Sequence, residues 1–200
     1  MRPERLSAFS DGVIAIIITI MVLELKVPHE ASAHALLELM PLFLSYVLSF
    51  VYVGIYWNNH HHLLHACPKV TGGILWANMH LMFWLSLIPF ATAWMGENHA
   101  AELPVAVYGF VLFMPAIAYY VLQTLVVRNA GAQSRLAREL GVDIKGKLSP
   151  LLCLTGIALA FVAPWVSIAL YLAVALMWLI PDRRIEKAIA DHLAAPHEPH

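Results

Sequence analysis

From Gly12 to Leu23 the chain carries a single polar side chain, Thr19. Glu24 and Lys26 follow, and Pro28 supplies the stop. A helix over Ser7 to Val27 matches the roughly 20 residues needed to cross a bilayer. This run constrains the rest of the chain. Inside lipid every backbone N–H and C=O must be satisfied within the protein, which leaves only helices and closed barrels. The entry to the helix is polar, with Arg5, Ser7, Ser10 and Asp11. A serine and an aspartate there are costly beside lipid and call for partners inside the protein or for water. At ~100° per residue, Gly12, Ile16, Thr19 and Leu23 fall within about 60° of one another. Ser10 and Asp11 point well away from that stripe.

The remaining sequence repeats the theme. The whole chain is 60% hydrophobic and 12% charged, where a soluble domain carries about 25% charged residues. The chain therefore reads as an integral membrane protein, all-α, in contact with a lipid bilayer. Its formal net charge of -1 gives no basis for nucleic-acid binding. Cys67 and Cys153 lie far apart in apolar contexts and read as buried small hydrophobes. Glu24-Leu25-Lys26-Val27 stands where a cleavable signal would need small residues.

Further helices are predicted over Ala35 to Leu64, Val70 to Trp94 with a kink at Pro89, and Pro104 to Val127 with Pro115 inside. The stretch Leu148 to Ile180 is too long for one upright span. It reads as two helices, Ser149 to Val162 and Trp165 to Ile180, joined by a tight turn. One kinked helix is the alternative. Residues 1–181 then form a transmembrane domain, and 182–200 a short tail, partly disordered. With six spans and both termini cytoplasmic, Arg2, Arg5, Lys69, Arg128, Arg135, Arg138, Lys145, Lys147, Arg183, Arg184 and Lys187 share the inner side. Lys26 alone lies outside. Cytoplasmic loops carry such an excess of basic residues. Five spans would put Arg183, Arg184 and Lys187 on the wrong side.

The sequence Arg5-x-x-x-Phe9-Ser10-Asp11, a small residue at Gly12, and an Ile-rich run ending Thr19-x-x-x-Leu23-Glu24 resembles the signature of the endolysosomal potassium channel family, the transmembrane protein 175 family. Tyr56-Trp57-x-x-His60-His61 and Trp76-x-Asn78-x-x-x-x-Phe83-x-x-x-x-Ile88-Pro89-Phe90-x-Thr92 are similar to that family's second and third helices. The likeness is to its single-repeat prokaryotic members, because the F-S-D stretch occurs once. The resemblance implies six helices per subunit and a homotetramer with four copies of helix one around a central pore. It implies passive conduction of monovalent cations, potassium above all, with modest selectivity, across the plasma membrane of a prokaryote. It places the constriction at Ile16, Thr19 and Leu23, with Gly12 on the same stripe. The two-repeat eukaryotic members' lysosomal placement does not carry over.

Read from the residues alone, the stripe fits either a lipid-facing or core surface or a pore lining. Rings of bulky apolar side chains gate by dewetting, and a hydroxyl ring offers oxygen ligands. No T-V-G-Y-G-like loop is present, so a carbonyl cage is not available. Selectivity would come from size, Thr19 or bound water. Arg5, Ser10, Asp11, Trp57, His60, His61, Trp76 and Asn78 are read as a polar network that holds helix one in register. A pH-sensitive coupling element is the sharper alternative, since His titrates near neutral pH. His61 and His65 share a helix face, but a zinc site wants three or four ligands. No metal and no cofactor is therefore assigned, only a permeant K+. Ser10, Asp11 and His60 do not make a hydrolase, because adjacent helical residues point ~100° apart. A non-enzyme follows. The alternative function is a His-rich transporter or metal-handling membrane protein using His60, His61, His65 and His80.

Overall fold

A computed structural model describes residues 2–131 and 144–179. Its elements are α1 (Pro3–Leu23), α2 (Ala33–Glu38), α3 (Met40–His65), α4 (Gly72–Leu85), α5 (Ile88–Glu97), α6 (Glu102–Ala130), α7 (Ile144–Leu159) and α8 (Pro164–Leu179). No strand occurs among the described residues. Four segments are long and apolar enough to cross a membrane: Pro3–Leu23, Met40–His65, Gly72–Glu97 and Glu102–Ala130. Leu148–Leu159 and Pro164–Leu179 are apolar but shorter. The tail expected at 182–200, with Arg183, Arg184 and Lys187, lies outside the described residues, as do Arg135 and Arg138.

Prolines explain where the helices depart from the sequence expectation. α1 starts at Pro3, four residues early, because proline's fixed φ and missing N–H suit a first turn. It ends at Leu23, ahead of Val27, where the Leu25 N–H already turns back to the Val22 carbonyl at 3.2 Å. The helix predicted over Ala35 to Leu64 is two. Ser32 caps α2 by accepting the Ala35 N–H at 3.2 Å, and α2 gives way at Leu39. Pro41 cannot bond to the Leu37 carbonyl and its ring crowds that group. Pro89 acts alike: it cannot bond to the Leu85 carbonyl, and α4 breaks from α5 at Ser86 and Leu87. The kink therefore sits upstream of the proline that causes it. Pro115 leaves α6 unbroken through 29 residues, and α6 stops at Gly131, whose φ of 96° favours glycine.

The last two helices form an antiparallel hairpin. Trp178, near the end of α8, donates its indole N–H to Ser149, near the start of α7, at 2.7 Å. Pro164 opens α8 at its first position. Tyr171 keys this hairpin to the other helices. A Cβ on Gly109 of α6 or on Gly156 of α7 would run into its ring. The Tyr52 hydroxyl of α3 donates to the Tyr171 carbonyl at 2.6 Å. Small residues let membrane helices approach closely, which is how such bundles gain packing energy. A hydroxyl cluster does similar work between α3, α5 and α6: Ser49 meets Thr92 at 2.6 Å and Tyr108 at 2.9 Å, all buried.

The bundle has two chemically distinct ends. At one end Asn129 of α6 donates to the Lys69 carbonyl before α4 at 2.8 Å. Arg2, Arg5, Lys69, Arg128 and Lys145 sit near helix termini at that end. At the other, Lys26 pairs with Glu97 at 2.6 Å. That contact raises the Lys26 pKa, through its hydrogen bond to the carboxylate and the carboxylate's charge.

Candidate functional site

α1 presents two faces. Leu6, Ser10, Ile14, Ile17 and Met21 recur at spacings of three and four and are buried against the other helices. Gly12, Ile16, Thr19 and Leu23 lie on the opposite side and are exposed on the single chain. Ile16 is 60% and Leu23 75% exposed. A Cβ on Gly12 would meet nothing within 4 Å. The Thr19 hydroxyl donates to the Ala15 carbonyl at 2.8 Å. Its proton is thereby committed to its own helix, and its oxygen lone pairs remain free to face outward. Phe9, also exposed, borders the same face.

Two polar clusters fix the helix's rotation. In the first, Ser10 of α1 donates to the Leu6 carbonyl at 3.0 Å and accepts the Asn78 side-chain N–H at 2.9 Å. The Asn78 carbonyl oxygen meets His60 Nε2 at 2.7 Å. An amide oxygen only accepts, so Nε2 carries the proton. Ser10, His60 and Asn78 are fully buried, and His60 Nδ1 has no partner in this structure. A hydrogen-bonded cluster away from water is directional where packing of Ile and Leu is not. It therefore sets the phase of α1 against α3 and α4. In the second cluster Asp11 accepts the Trp57 indole N–H at 3.0 Å and the Ser7 hydroxyl at 3.4 Å. His61 lies beside Trp57, with ring centroids 6.1 Å apart.

The residues expected to form one network thus lie in two clusters plus outliers. Ser10, His60 and Asn78 come together; Asp11, Trp57 and His61 come together. Arg5 and Trp76 join neither. Arg5 is exposed, and Trp76 is 74% exposed, with no side-chain hydrogen bond to either among the described residues. Trp76 and Asn78 are two positions apart on α4, ~200° around the helix, so one must face outward when the other faces in. Ser7, one turn before Asp11, completes the second cluster without having been expected there. Ser49 and Tyr108 were also missed, because single hydroxyls in apolar helices carry no periodic signal.

His60 and His80 do not join His61 and His65, whose rings lie together at the end of α3. His60 is inside the bundle, while exposed His80 accepts the Trp84 indole N–H at 2.8 Å. No group of three or more His, Cys, Asp or Glu among the described residues is placed to hold a metal ion.

Comparison with known proteins bears on what this arrangement does. Residues 5–89 match the family model described as endosomal/lysosomal potassium channel TMEM175. The chain is 53% identical over 192 residues to a potassium channel of Chryseobacterium sp. (strain P1-3), covering 96% of this chain and all of the relative. It is 34% identical over 126 residues to a potassium channel of Streptomyces collinus, covering 59% of this chain and 61% of that one. The fold matches the crystal structure of a lysosomal potassium-selective channel TMEM175 homolog from Chamaesiphon minutus. The TM-score is 0.77 at 27% identity, covering 89% of this chain and 96% of the other.

Proposed function

The chain belongs to the TMEM175 potassium channel family, and from that premise we propose that α1 lines the ion path of a homotetramer with four copies of the helix around one axis. The membrane-embedded helices and the potassium-channel relatives make it an ion-transport protein with K+ as the permeant ion, and no catalytic role follows from its relatives. The observation that carries the pore reading is the exposed stripe Gly12, Ile16, Thr19 and Leu23, held outward by the buried cluster on the opposite face. A single α1 cannot enclose a path, so copies of the stripe face one another across the axis.

In that arrangement Ile16 and Leu23 form apolar rings that shut the path by dewetting, and Thr19 forms an oxygen layer between them. The Thr19 oxygen, with its proton engaged by Ala15, is oriented to accept a cation. Asp11 stands near the α1 entry and favours positive charge there. Both α7 and α8 cross the membrane, making six spans. The polar end of α1 and both termini face the cytoplasm of a prokaryote through its plasma membrane, as the distribution of basic residues favours. Residues 1–181 constitute the channel domain. Flux is passive and its potassium selectivity modest. Purified protein in planar bilayers, recorded in potassium, sodium and caesium, tests this: ohmic single-channel steps without a coupling ion support it, and slow saturable flux contradicts it.

A further inference from the structure

The end of α3 carries a feature that conduction does not use. Trp57, His61 and His65 recur at i, i+4 and i+8, on one face of the last two turns. The His61 and His65 ring centroids are 4.9 Å apart. Two imidazoles bound to one ion at Zn–N distances of about 2.0–2.1 Å place their centroids roughly 4.5–5.2 Å apart, for angles between square-planar and tetrahedral. The observed centroid spacing falls within that range, with the rings at 60° to one another. His61 is half-buried beside Trp57, which limits its rotamers, while exposed His65 leaves the remaining coordination positions to water. Closed structural sites need more ligands, which is why the sequence alone assigned no metal. An open two-nitrogen chelate is a different, weaker object.

We propose that His61 and His65 chelate one divalent transition-metal ion of the imidazole-preferring class, Zn2+, Ni2+ or Cu2+, at the end of α3, and that this ion damps conduction. The coupling rests on the channel reading; the site itself does not. The path is short: His61 stands against Trp57, and Trp57 holds Asp11 at the entry of α1. An ion bridging one turn stiffens the last turns of α3 and so resists displacement of α1. Its two positive charges also repel cations approaching that entry.

The test uses the full chain freed of any purification tag. Ni2+ titration calorimetry should give one ion per chain that is lost, about tenfold or more in affinity, in His61→Ala and in His65→Ala, since each breaks the chelate. His62→Ala, ~100° from His61 and ~60° from His65 around the helix, should retain it. Cu2+ electron paramagnetic resonance should report two equatorial imidazole nitrogens in the native chain and one in His65→Ala. Micromolar Ni2+ on the α3 C-terminal side should lower potassium conductance about twofold or more, and His65→Ala should abolish that effect. Equal Ni2+ affinity in the native chain and the His61→Ala/His65→Ala double variant overturns the site. Binding through both histidines with unchanged conductance overturns the coupling. A metal-free protein that never conducts contradicts the channel reading, while the site is judged on binding and spectroscopy alone.

Discussion

The two faces of α1 use nearly the same residues for opposite purposes. Ile14 and Ile17 are buried at 2% and 3% exposure, whereas Ile16, between them, is 60% exposed. Apolar character cannot account for that difference, since a membrane helix gains nothing by hiding isoleucine from lipid tails. The difference comes from Ser10, whose bonds to Asn78 and through it to His60 allow one rotation of the helix. A buried polar cluster thus decides which aliphatic residues pack and which are presented. The buried face fixes geometry; the exposed face is left to carry function.

The strongest way to break that division is at the cluster. Asn78→Ala removes the shared partner of Ser10 and His60 and leaves both buried groups unsatisfied, at about 1–3 kcal/mol for each group. Thermal unfolding in detergent should show a large fall in stability, and size-exclusion chromatography a loss of the native assembly. A variant that assembles with unchanged stability would mean that the cluster does not set the phase of α1.

On the opposite face the effects should fall on permeation and spare stability. Ile16→Asn lets water enter an apolar ring, so single-channel conductance should rise several-fold, by roughly 1 kcal/mol of barrier, while potassium-over-sodium preference falls. Ile14→Val, on the opposite, buried face, should leave permeation unchanged and cost about 0.5–1.5 kcal/mol of stability. Similar permeation changes at both positions would erase the distinction between faces. Thr19→Val keeps volume but removes the oxygen that Ala15 orients. Reversal potentials under bi-ionic conditions should show reduced selectivity with little gain in conductance.

The smallest effect should appear at the far end of the bundle. The Lys26–Glu97 pair is exposed on both sides, and exposed ion pairs contribute little. Lys26→Ala should leave the melting temperature within error at neutral pH. The raised Lys26 pKa means that whatever the pair contributes is fully present at neutral pH and is lost only as alkaline pH passes the folded value.

Much of this was legible in the sequence. The membrane class followed from the run at Gly12 to Leu23, and the two faces of α1 from its 100° periodicity. The hairpin of α7 and α8 followed from Pro164 and the length of the apolar stretch. Breaks at Leu39 and at Ser86–Leu87 were harder, because a proline disturbs the carbonyl four residues before it and the helix parts upstream of the residue one reads. Trp76 and Asn78 share the membrane side at which one helix ends and the next begins, but helix phase sends Trp76 outward and Asn78 inward. The ring spacing of His61 and His65 depends on rotamers, which no spacing rule supplies.

The central claim is that the exposed face of α1 borders the conduction path. The most direct measurement is recording of Ile16→Cys in planar bilayers before and after a cationic methanethiosulfonate reagent, with modification verified by mass spectrometry. Cys67 and Cys153 are buried, so the native chain should be silent to the reagent. The expected result is that modification at position 16 blocks or sharply reduces the potassium current. Complete modification at that position with an unaltered current would place the stripe against lipid and contradict the account.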